Sequence, residues 1–465
     1  MNPRLERVLN ALDRAYTGPV CTIKDWDSKV IPGKAREIVA RHGLEKTCDP
    51  NEPVPSDDAL ADAYYQAGLE AALEIGMLCP DTERTIKVSE QEIKFALETA
   101  ATELVLGSNA DEVVMKPRLP EDPHPPMFAA PLCLVVSEDI WVPLSAGLVE
   151  KRELVDVFFS PSLPTVYGRK VRSGTPYETL VGRYEVQLRQ EALYRAGRPD
   201  MCQIGIGSAI TEFGQLGGMP AIGGGRRNIA TSLCPAELKV TFANFHRIIQ
   251  GINYDHSLRP GSLSYIGGYA GTPEAAVVLN IAIDLLIATI LGNDYVSSNI
   301  YDARHFGNCG RDGVWANCMA TQAVSRNTHL MRTKIINQKA GPCTEMLLHE
   351  SAVGFMAVSV SGASKVCGPR TSGGKYQDYL TPLETWFCAE VWKSCAGMSR
   401  KQANELVKKL IPLYEDKMQK PPMGKSVRDC FDLENGKPSQ EWGDIYQKVH
   451  NELVDMGMPL REIYW

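Results

Sequence analysis

The sequence lacks any block rich in lysine and arginine, and it lacks an uninterrupted apolar run of membrane-spanning length. Of its 465 residues, 49 are Lys or Arg and 56 are Asp or Glu, which gives a formal net charge of −7. Nucleic-acid-binding proteins usually carry a concentrated basic patch, so we expect no nucleic-acid partner. The longest apolar stretch, 273–291, contains Glu274, Asn280 and Asp284. A charged residue near its centre predicts a buried helix and no membrane association.

Cysteine motifs and an apolar leader are also missing. The 13 cysteines are scattered and include no Cys-x-x-Cys pair. Most adjoin apolar residues, as Cys133 does, and such cysteines usually pack as small apolar groups in a reducing compartment. The first residues are polar and do not form the apolar core of a signal peptide. These features predict a cytoplasmic protein.

Several well-known catalytic motifs are absent. The sequence has no Gly-x-Ser-x-Gly and no His-Glu-x-x-His, and its glycines at 223–225 are not followed by the residues of a phosphate-binding loop. His305 and Cys309 have the spacing of metal ligands, but no second pair lies near them in the sequence. Because zinc ligands commonly occur in recognisable clusters, we predict no metal site, although one built from distant residues stays open.

The central part of the chain has the pattern of an α/β protein. From about residue 128, apolar segments of strand length alternate with helical segments. Alternating short buried strands and helices predict a parallel sheet. Seven or eight such units favour a closed (β/α)8 barrel, with an open doubly wound sheet as the alternative. We predict helices at 176–194 and 273–291, and strands at 132–136, 155–159, 201–206, 239–242, 265–266, 297–301 and, more weakly, 330–336.

Helical segments flank the predicted barrel on both sides. Residues 1–127 are predicted to form an N-terminal helical extension, 128–395 the barrel, and 396–465 a C-terminal helical segment. Ser89 with Glu92, and Ser399 with Gln402, have the spacing of capping boxes, which mark helix starts in the two flanking segments.

Four short runs of residues are similar to those of a known family. They are VLG at 105–107, AGRP at 196–199, GGYAG at 267–271 and AGPCTEM at 340–346, in that order. Together they resemble the monomethylamine methyltransferases. The resemblance implies a barrel enzyme and a homo-oligomer, hexameric in that family. It also implies transfer of a methyl group from an amine to the Co(I) of a separate corrinoid protein. Since the partner carries the corrinoid, we expect no tightly bound cofactor.

The chain departs from that family at the positions that handle the amine. Family members carry pyrrolysine, whose imine holds the methylamine, at the position matching Ile204. They carry glutamates at the positions matching Thr231 and Gly261, and a glutamine and a tyrosine at those matching Ile335 and Asn337. None of these residues is retained. We therefore expect the five positions to line a site for a different substrate, or a site that catalyses no reaction.

The loss of the imine favours a methyl donor that is already activated. A quaternary ammonium leaves as a neutral tertiary amine, so Co(I) can attack its methyl carbon without further activation. We predict a small N-methylated amine, quaternary or otherwise pre-activated, as the substrate. Its cation would need aromatic faces, although two or three of the candidate rings are expected to be ordinary core residues. The candidates near predicted strand ends are Tyr269, Tyr265, Tyr301, Phe306 and Trp315.

A carboxylate on the substrate would call for arginine, and the candidates are Arg226, Arg227 and Arg304. Each could equally form a surface ion pair. The predicted catalytic residues are Arg304, His305, which could shuttle a proton, and Glu345, which could orient the substrate or cap a helix. We expect an open cleft at the C-terminal face of the barrel with Ile204 on its floor.

Two other functions stay open. One is a demethylase for O-methyl or S-methyl compounds on the same scaffold, because a fold does not fix a reaction. The other is a non-catalytic homologue that still binds the corrinoid protein, which a filled cleft around Ile204 would favour.

Overall fold

Eight parallel strands form the centre of the molecule. The computed structural model describes residues 2–208, 211–292 and 294–465. The strands are β1 (Met127–Ala130), β2 (Val157–Phe158), β3 (Cys202–Gln203), β4 (Ile229–Leu233), β5 (Ser257–Ile266), β6 (Ser297–Asp302), β7 (Thr333–Ile335) and β8 (Lys365–Cys367).

Strand pairing closes these eight strands into a barrel. One run of parallel pairs joins β7, β8, β1, β2 and β3, and another joins β4, β5 and β6. Parallel bridges from Ile204 to Ile229 and from Val296 to Arg332 connect the two runs. Each strand therefore lies beside its successor and the last lies beside the first, which confirms the (β/α)8 barrel and excludes the open sheet.

A helix follows each barrel strand. The eight are α1 (Trp141–Val149), α2 (Pro176–Arg195), α3 (Glu212–Ile222), α4 (Phe242–Asn253), α5 (Pro273–Ile290), α6 (Arg311–Asn327), α7 (Glu345–Val360) and α8 (Pro382–Ser394). The helices predicted at 176–194 and 273–291 are thus confirmed. In α5, Thr272 caps the first turn and Pro273 occupies the first position.

Helix α5 is the only helix in the described part of the chain with the length and hydropathy of a membrane span. Within the protein it is 94% buried. It contacts β5, β6 and the N-terminal helix Asp58–Ile75. Packing on two sides explains why its sequence is apolar nearly all the way round.

Elements outside the barrel cover its sides and one end. The longer flanking helices are Pro3–Thr17, Ile31–Arg41, Asp58–Ile75, Glu90–Glu98, Arg400–Leu410 and Gln440–Asp455, with shorter ones at Ile23–Asp25, Trp26–Val30 and Val427–Cys430. Small antiparallel pairs join Met77–Cys79 to Arg84–Ile86, Leu104–Leu106 to Val113–Met115, Thr165–Val166 to Arg169–Lys170, and Phe431–Asp432 to Lys437–Pro438. Both predicted capping boxes are present.

The hairpin formed by Leu104–Leu106 and Val113–Met115 closes the N-terminal end of the barrel. Its Leu104, Leu106 and Met115 share one buried cluster with Met127 and Cys202, which begin β1 and β3. The end where the strands begin is therefore plugged. The opposite end, where the strands lead into the helices, carries active sites in barrels of this kind.

Two of the predicted strands were wrong and two strands were missed. β1 lies at Met127–Ala130 and not at 132–136, and 239–242 forms no barrel strand, since Lys239 only bridges to Leu78 outside the barrel. β4 and β8 were missed, and only the last two residues of β5 were predicted. β4 carries a threonine and a serine, β5 an arginine and three serines, and β8 begins with a lysine, so none of them reads as a continuous apolar run.

Candidate active site

The C-terminal half of the barrel interior brings together side chains from neighbouring and opposite strands. Ile204 follows β3, while Tyr301 and Ile335 lie in β6 and β7, and all three belong to one buried cluster. Thr231 of β4 is beside them, because a Cβ placed on Gly205 would lie 2.5 Å from its Cγ2. The structure therefore gathers three of the five departing positions, Ile204, Thr231 and Ile335, in one region.

Ile204 is completely enclosed. Its side chain is 0% exposed. Its N–H donates to the carbonyl of Phe158 at 3.0 Å, and its carbonyl accepts from Arg189 Nη1 at 3.1 Å. Because no part of Ile204 is open to solvent, this side chain does not lie on the exposed floor of an open cleft as the sequence predicts.

Gly261 has no room for a side chain. It is buried in β5, and a Cβ built there would lie 2.3 Å from the carbonyl oxygen of Ser297 and 2.9 Å from Leu233 Cδ2. Only glycine fits so close to a neighbouring backbone. Any substrate contact at this position would therefore have to come from the backbone.

Asn337 lies just beyond β7 and supports the neighbouring loop. Its Nδ2 donates to the carbonyl of Phe306 at 2.7 Å, and its N–H donates to Asn308 Oδ1 at 2.9 Å. Its Oδ1 is buried without a hydrogen-bond partner. Because the side chain is 5% exposed, this free acceptor faces the protein interior and is a candidate to meet a ligand donor.

Arg304 and His305 lie on the loop after β6, at the C-terminal face. Arg304 Nε bonds both oxygens of Asp302, at 2.8 and 3.0 Å, and its Nη2 lies 2.6 Å from Asp312 Oδ2. His305 Nε2 is 3.5 Å from Asp302 Oδ2. Burial acts against ionisation of Asp302, but hydrogen bonds from His305 and Arg304 lower the pKa of its carboxyl. Arg304 is therefore committed to two carboxylates and is not free to bind an anionic substrate.

Arg226 and Arg227 lie at the wrong end of the barrel for a substrate contact. They precede β4, so they sit at the plugged N-terminal end. Arg226 pairs with Asp294, and Arg227 Nη1 bonds the carbonyl of Gly107 at 2.7 Å and Glu112 at 2.8 Å. The prediction failed because the preceding glycines at 223–225 end helix α3 and do not follow a strand.

Glu345 and Tyr269 lie on the surface. Glu345 is the first residue of α7 and forms an ion pair of 2.5 Å with Lys448 of the C-terminal helix. This position fits the helix-terminus interpretation of Glu345, because an acidic side chain there complements the helix dipole. Tyr269 is 48% exposed, and Lys239 Nζ lies 5.5 Å from the centre of its ring.

Arg259 is the most distinctive residue of the interior and is absent from the predicted site. It is the third residue of β5 and is 0% exposed. Its Nη1 donates to Thr231 Oγ1 at 3.0 Å, its Nη2 to Ser297 Oγ at 2.8 Å, and its guanidinium lies 5.6 Å from the ring centre of Phe159. The signal that could have found it is a charged residue within the serine-rich segment SLRPGSLSYI.

Arg370 and two tyrosines lie above this layer. Arg370 follows β8, and its guanidinium lies against Gly374, where a Cβ would be 2.8 Å from Nε. Tyr265 and Tyr301 end β5 and β6 with their ring centres 6.2 Å apart in an edge-to-face arrangement. Burial raises the pKa of Tyr301 to about 12, and the charges of Arg370 and Arg259 both oppose that rise. Both arginines are therefore close enough to act on the same tyrosine.

Buried carboxylates position the strand ends around the site. Glu185 of α2 accepts from the N–H groups of Gly207 at 2.9 Å and Ser208 at 2.7 Å, just after Ile204. Glu237 accepts from the N–H of Tyr265 at 3.0 Å. Burial raises the pKa of Glu237 to about 7. These contacts fix the loops after β3 and β4 and thereby orient Ile204 and Tyr265.

The described residues contain no group of three or more His, Cys, Asp or Glu side chains that could hold a metal ion. Apolar and aromatic side chains are instead exposed on the loops of the C-terminal face. Leu233, which ends β4, and Tyr269 and Phe306, which follow β5 and β6, are 45%, 48% and 64% exposed. This face therefore offers apolar surface around the barrel mouth, as protein-binding surfaces do.

Comparisons with known proteins agree with the architecture. The family model described as monomethylamine methyltransferase MtmB matches residues 7–458. Monomethylamine methyltransferase MtmB3 of Methanosarcina barkeri (strain Fusaro / DSM 804) is 28% identical over 452 residues, covering 96% of this chain and 97% of its own. MtmB of Methanosarcina mazei is also 28% identical, over 448 residues, with the same coverage.

Solved structures give the same result. The crystal structure of the Methanosarcina barkeri enzyme MtmB superposes with a TM-score of 0.92 at 27% identity, covering 97% of this chain and 98% of that one. A crystal structure of the hydroxylamine complex of MtmB matches equally well. Since the family model spans nearly the whole chain, this protein belongs to the monomethylamine methyltransferase MtmB family.

Proposed function

We propose that this protein transfers a methyl group from a small N-methylated compound, quaternary or otherwise pre-activated, to the Co(I) of a separate corrinoid protein. The observation that carries the proposal is the side chain after β3. Ile204 faces the barrel interior and has no electrophilic or polar atom. A donor held there cannot be activated through an imine, so the donor itself must carry a good leaving group.

The chemistry of the leaving group explains the preference for a quaternary nitrogen. Methyl transfer breaks the C–N bond, and the electron pair of that bond stays on nitrogen. From a quaternary ammonium the product is a neutral tertiary amine, so no proton has to be supplied. The buried environment of Ile204 and Tyr301 favours this reaction, because it excludes water from the reacting carbon.

The corrinoid acceptor would approach from the C-terminal face. Leu233, Tyr269 and Phe306 expose apolar surface there, and the opposite end is plugged by the hairpin of Leu104–Leu106 and Val113–Met115. We expect a corrinoid carried by a cytoplasmic partner protein, no tightly bound cofactor in this chain, and a homo-oligomer. Because Ile204 is enclosed, side chains at the mouth must move before the donor can enter.

The test is a methyl-transfer assay. The purified protein is mixed with reduced corrinoid protein and, separately, with tetramethylammonium, trimethylglycine, trimethylamine and methylamine. We expect methyl-cobalt absorbance with at least one quaternary compound and none with methylamine. Consumption of methylamine, or no methyl-cobalt with any quaternary compound, would overturn the proposal.

A non-catalytic homologue that binds the corrinoid protein is the second candidate. The observation in its favour is the complete burial of Ile204. The two functions differ in whether a small ligand enters the barrel. Binding of a methylated compound in the absence of any corrinoid protein, measured by calorimetry, supports the enzyme, whereas corrinoid-protein binding alone supports the homologue.

A further inference from the structure

One buried arginine in the described part of the barrel interior has no counter-ion. Four arginines in the described part of the chain are no more than 1% exposed. Three of them pair with carboxylates, Arg189 with Glu185, Arg198 with Asp111 and Arg332 with Asp284. The fourth, Arg259, has no carboxylate within ion-pair distance among the described residues.

The neutral partners of Arg259 do not replace a counter-ion. Its guanidinium donates to Thr231 Oγ1, Ser297 Oγ and, at 3.8 Å, Cys367 Sγ. Its Nε is buried without any acceptor. Removing a charge from water costs several kcal/mol per ion unless an opposite charge and full hydrogen bonding offset that cost. A site with this arrangement is incomplete until an anion binds to it.

A second cation adjoins the same space. Arg370 also has a buried Nε without an acceptor and no ion pair within the described ranges. Its charge acts on Cys133, Tyr265 and Tyr301, and the charge of Arg259 acts on Cys133 and Tyr301. Arg259 contacts Cys367, the last residue of β8, and Arg370 follows three residues later on the loop after β8. Both guanidinium groups therefore lie near the C-terminal end of β8, with Arg259 buried and Arg370 only partly buried.

We propose that Arg259 and Arg370 bind a carboxylate of the methyl donor, so that the substrate is a zwitterion with an N-methylated ammonium at its other end. This inference rests on the function proposed above. A donor with only positive charge would be repelled by two unpaired guanidinium groups. A carboxylate between them removes that repulsion and satisfies the free N–H donors. The rings of Tyr265 and Tyr301 are placed to face the ammonium end.

Calorimetric binding to the full-length protein without a corrinoid partner tests the inference. The probes are trimethylglycine, which carries both charges, tetramethylammonium, which carries only the cation, and acetate, which carries only the anion. We expect trimethylglycine to bind at least about tenfold more tightly than tetramethylammonium, because a charged hydrogen-bonded contact is worth that much or more. Equal affinity for the two, or no binding of trimethylglycine, would overturn the inference.

Variants assign the binding to the two arginines. Arg259→Gln and Arg370→Gln should each weaken trimethylglycine binding by about tenfold to a hundredfold, while binding of tetramethylammonium does not fall. Arg259→Lys, which keeps the charge, should recover part of the loss. Arg195→Gln on the exposed face of α2, where the wild-type arginine pairs with Glu191, is the control and should bind as wild type does. Unchanged binding in both glutamine variants would contradict the assignment.

The assay separates failure of this inference from failure of the proposed function. If trimethylglycine binds as expected and the arginine variants lose it, but no methyl-cobalt forms with the corrinoid protein, the carboxylate site stands and the methyl-transfer proposal falls. If methyl-cobalt forms equally well from tetramethylammonium and trimethylglycine, methyl transfer stands and the carboxylate site falls.

Discussion

The barrel interior and the layer between its strands and helices both bury positive charge, but in different ways. In the layer, Arg189 bonds Glu185 on the same helix, and Arg332 bonds Asp284 of α5. In the interior, the hydrogen-bond partners of Arg259 and Lys365 among the described residues are neutral, and Lys365 Nζ bonds Tyr295 OH at 2.8 Å. The two arginines of the layer are thus paired within the protein, whereas the two cations of the interior are not.

The largest expected effect comes from replacing one arginine in each region with methionine, which has a similar length and no charge. Arg189→Met leaves Glu185 buried without its cation and should lower the free energy of unfolding by about 3–5 kcal/mol. Arg259→Met removes a charge that has no counter-ion. It should change the free energy of unfolding by less than about 1 kcal/mol, or raise it. Urea denaturation without ligand measures both. Equal losses would mean that Arg259 has a counter-ion after all.

The opposite arrangement is a buried carboxyl group with no ion-pair partner among the described residues, and Glu350 provides it. Glu350 of α7 accepts from the N–H groups of Lys339 and Ala340, and burial raises its pKa from 4.5 to about 7. The stability it contributes is fully present below about pH 4.5 and is lost as the pH rises through about 7. Glu350→Gln should therefore reduce the fall in unfolding free energy between pH 5 and 8 by about 2–3 kcal/mol. An unchanged pH profile in urea denaturation would contradict this.

A carboxylate introduced next to Arg259 should pair with it, as the arginines between the strands and helices are paired. Thr231 already contacts Arg259 Nη1 at 3.0 Å, so Thr231→Asp places a carboxylate next to that guanidinium with little change of size. We expect trimethylglycine affinity to fall about tenfold or more, because the new carboxylate competes with the ligand. Thr231→Val is the matched control, since it adds no charge and should lose much less affinity. Calorimetry compares the two.

The smallest effect is expected for an ion pair outside both regions. Glu345 and Lys448 are about half exposed and pair across the surface between α7 and the C-terminal helix. Glu345→Gln should shift the midpoint of thermal unfolding by less than about 2 °C and leave trimethylglycine binding unchanged, because exposed pairs contribute little. A marked loss of trimethylglycine binding would mean that Glu345 takes part in substrate binding.

The comparison also shows what sequence patterns could predict. Strands with apolar runs were found near their true positions, as β2, β3 and β6 were. β4 was missed because Thr231 and Ser232 interrupt its apolar residues, and β8 because it has three residues and begins with Lys365. Most of β5 was missed for the same reason, since Arg259 breaks the apolar pattern by which buried strands are recognised.

Site residues were predictable only where a family position marked them. Ile204, Thr231 and Ile335 lie together in the interior, and their positions followed from the resemblance. Arginines were chosen by their place in the chain, which led to Arg226, Arg227 and Arg304, and all three proved to be paired with carboxylates. Whether an arginine is free depends on which carboxylates fold against it, and no local pattern contains that information.

The sequence by itself determined the alternation of strands and helices, the barrel and the family, because periodicity and ordered motifs are local properties of the chain. The resemblance also led us to predict that Ile204 stands where the family carries pyrrolysine. Only the tertiary structure decided that Gly261 has no room for a side chain, that Arg226 lies at the plugged end, and that Arg259 is buried among neutral hydrogen-bond partners. These facts depend on distances between strands that are far apart in sequence, which no local pattern contains.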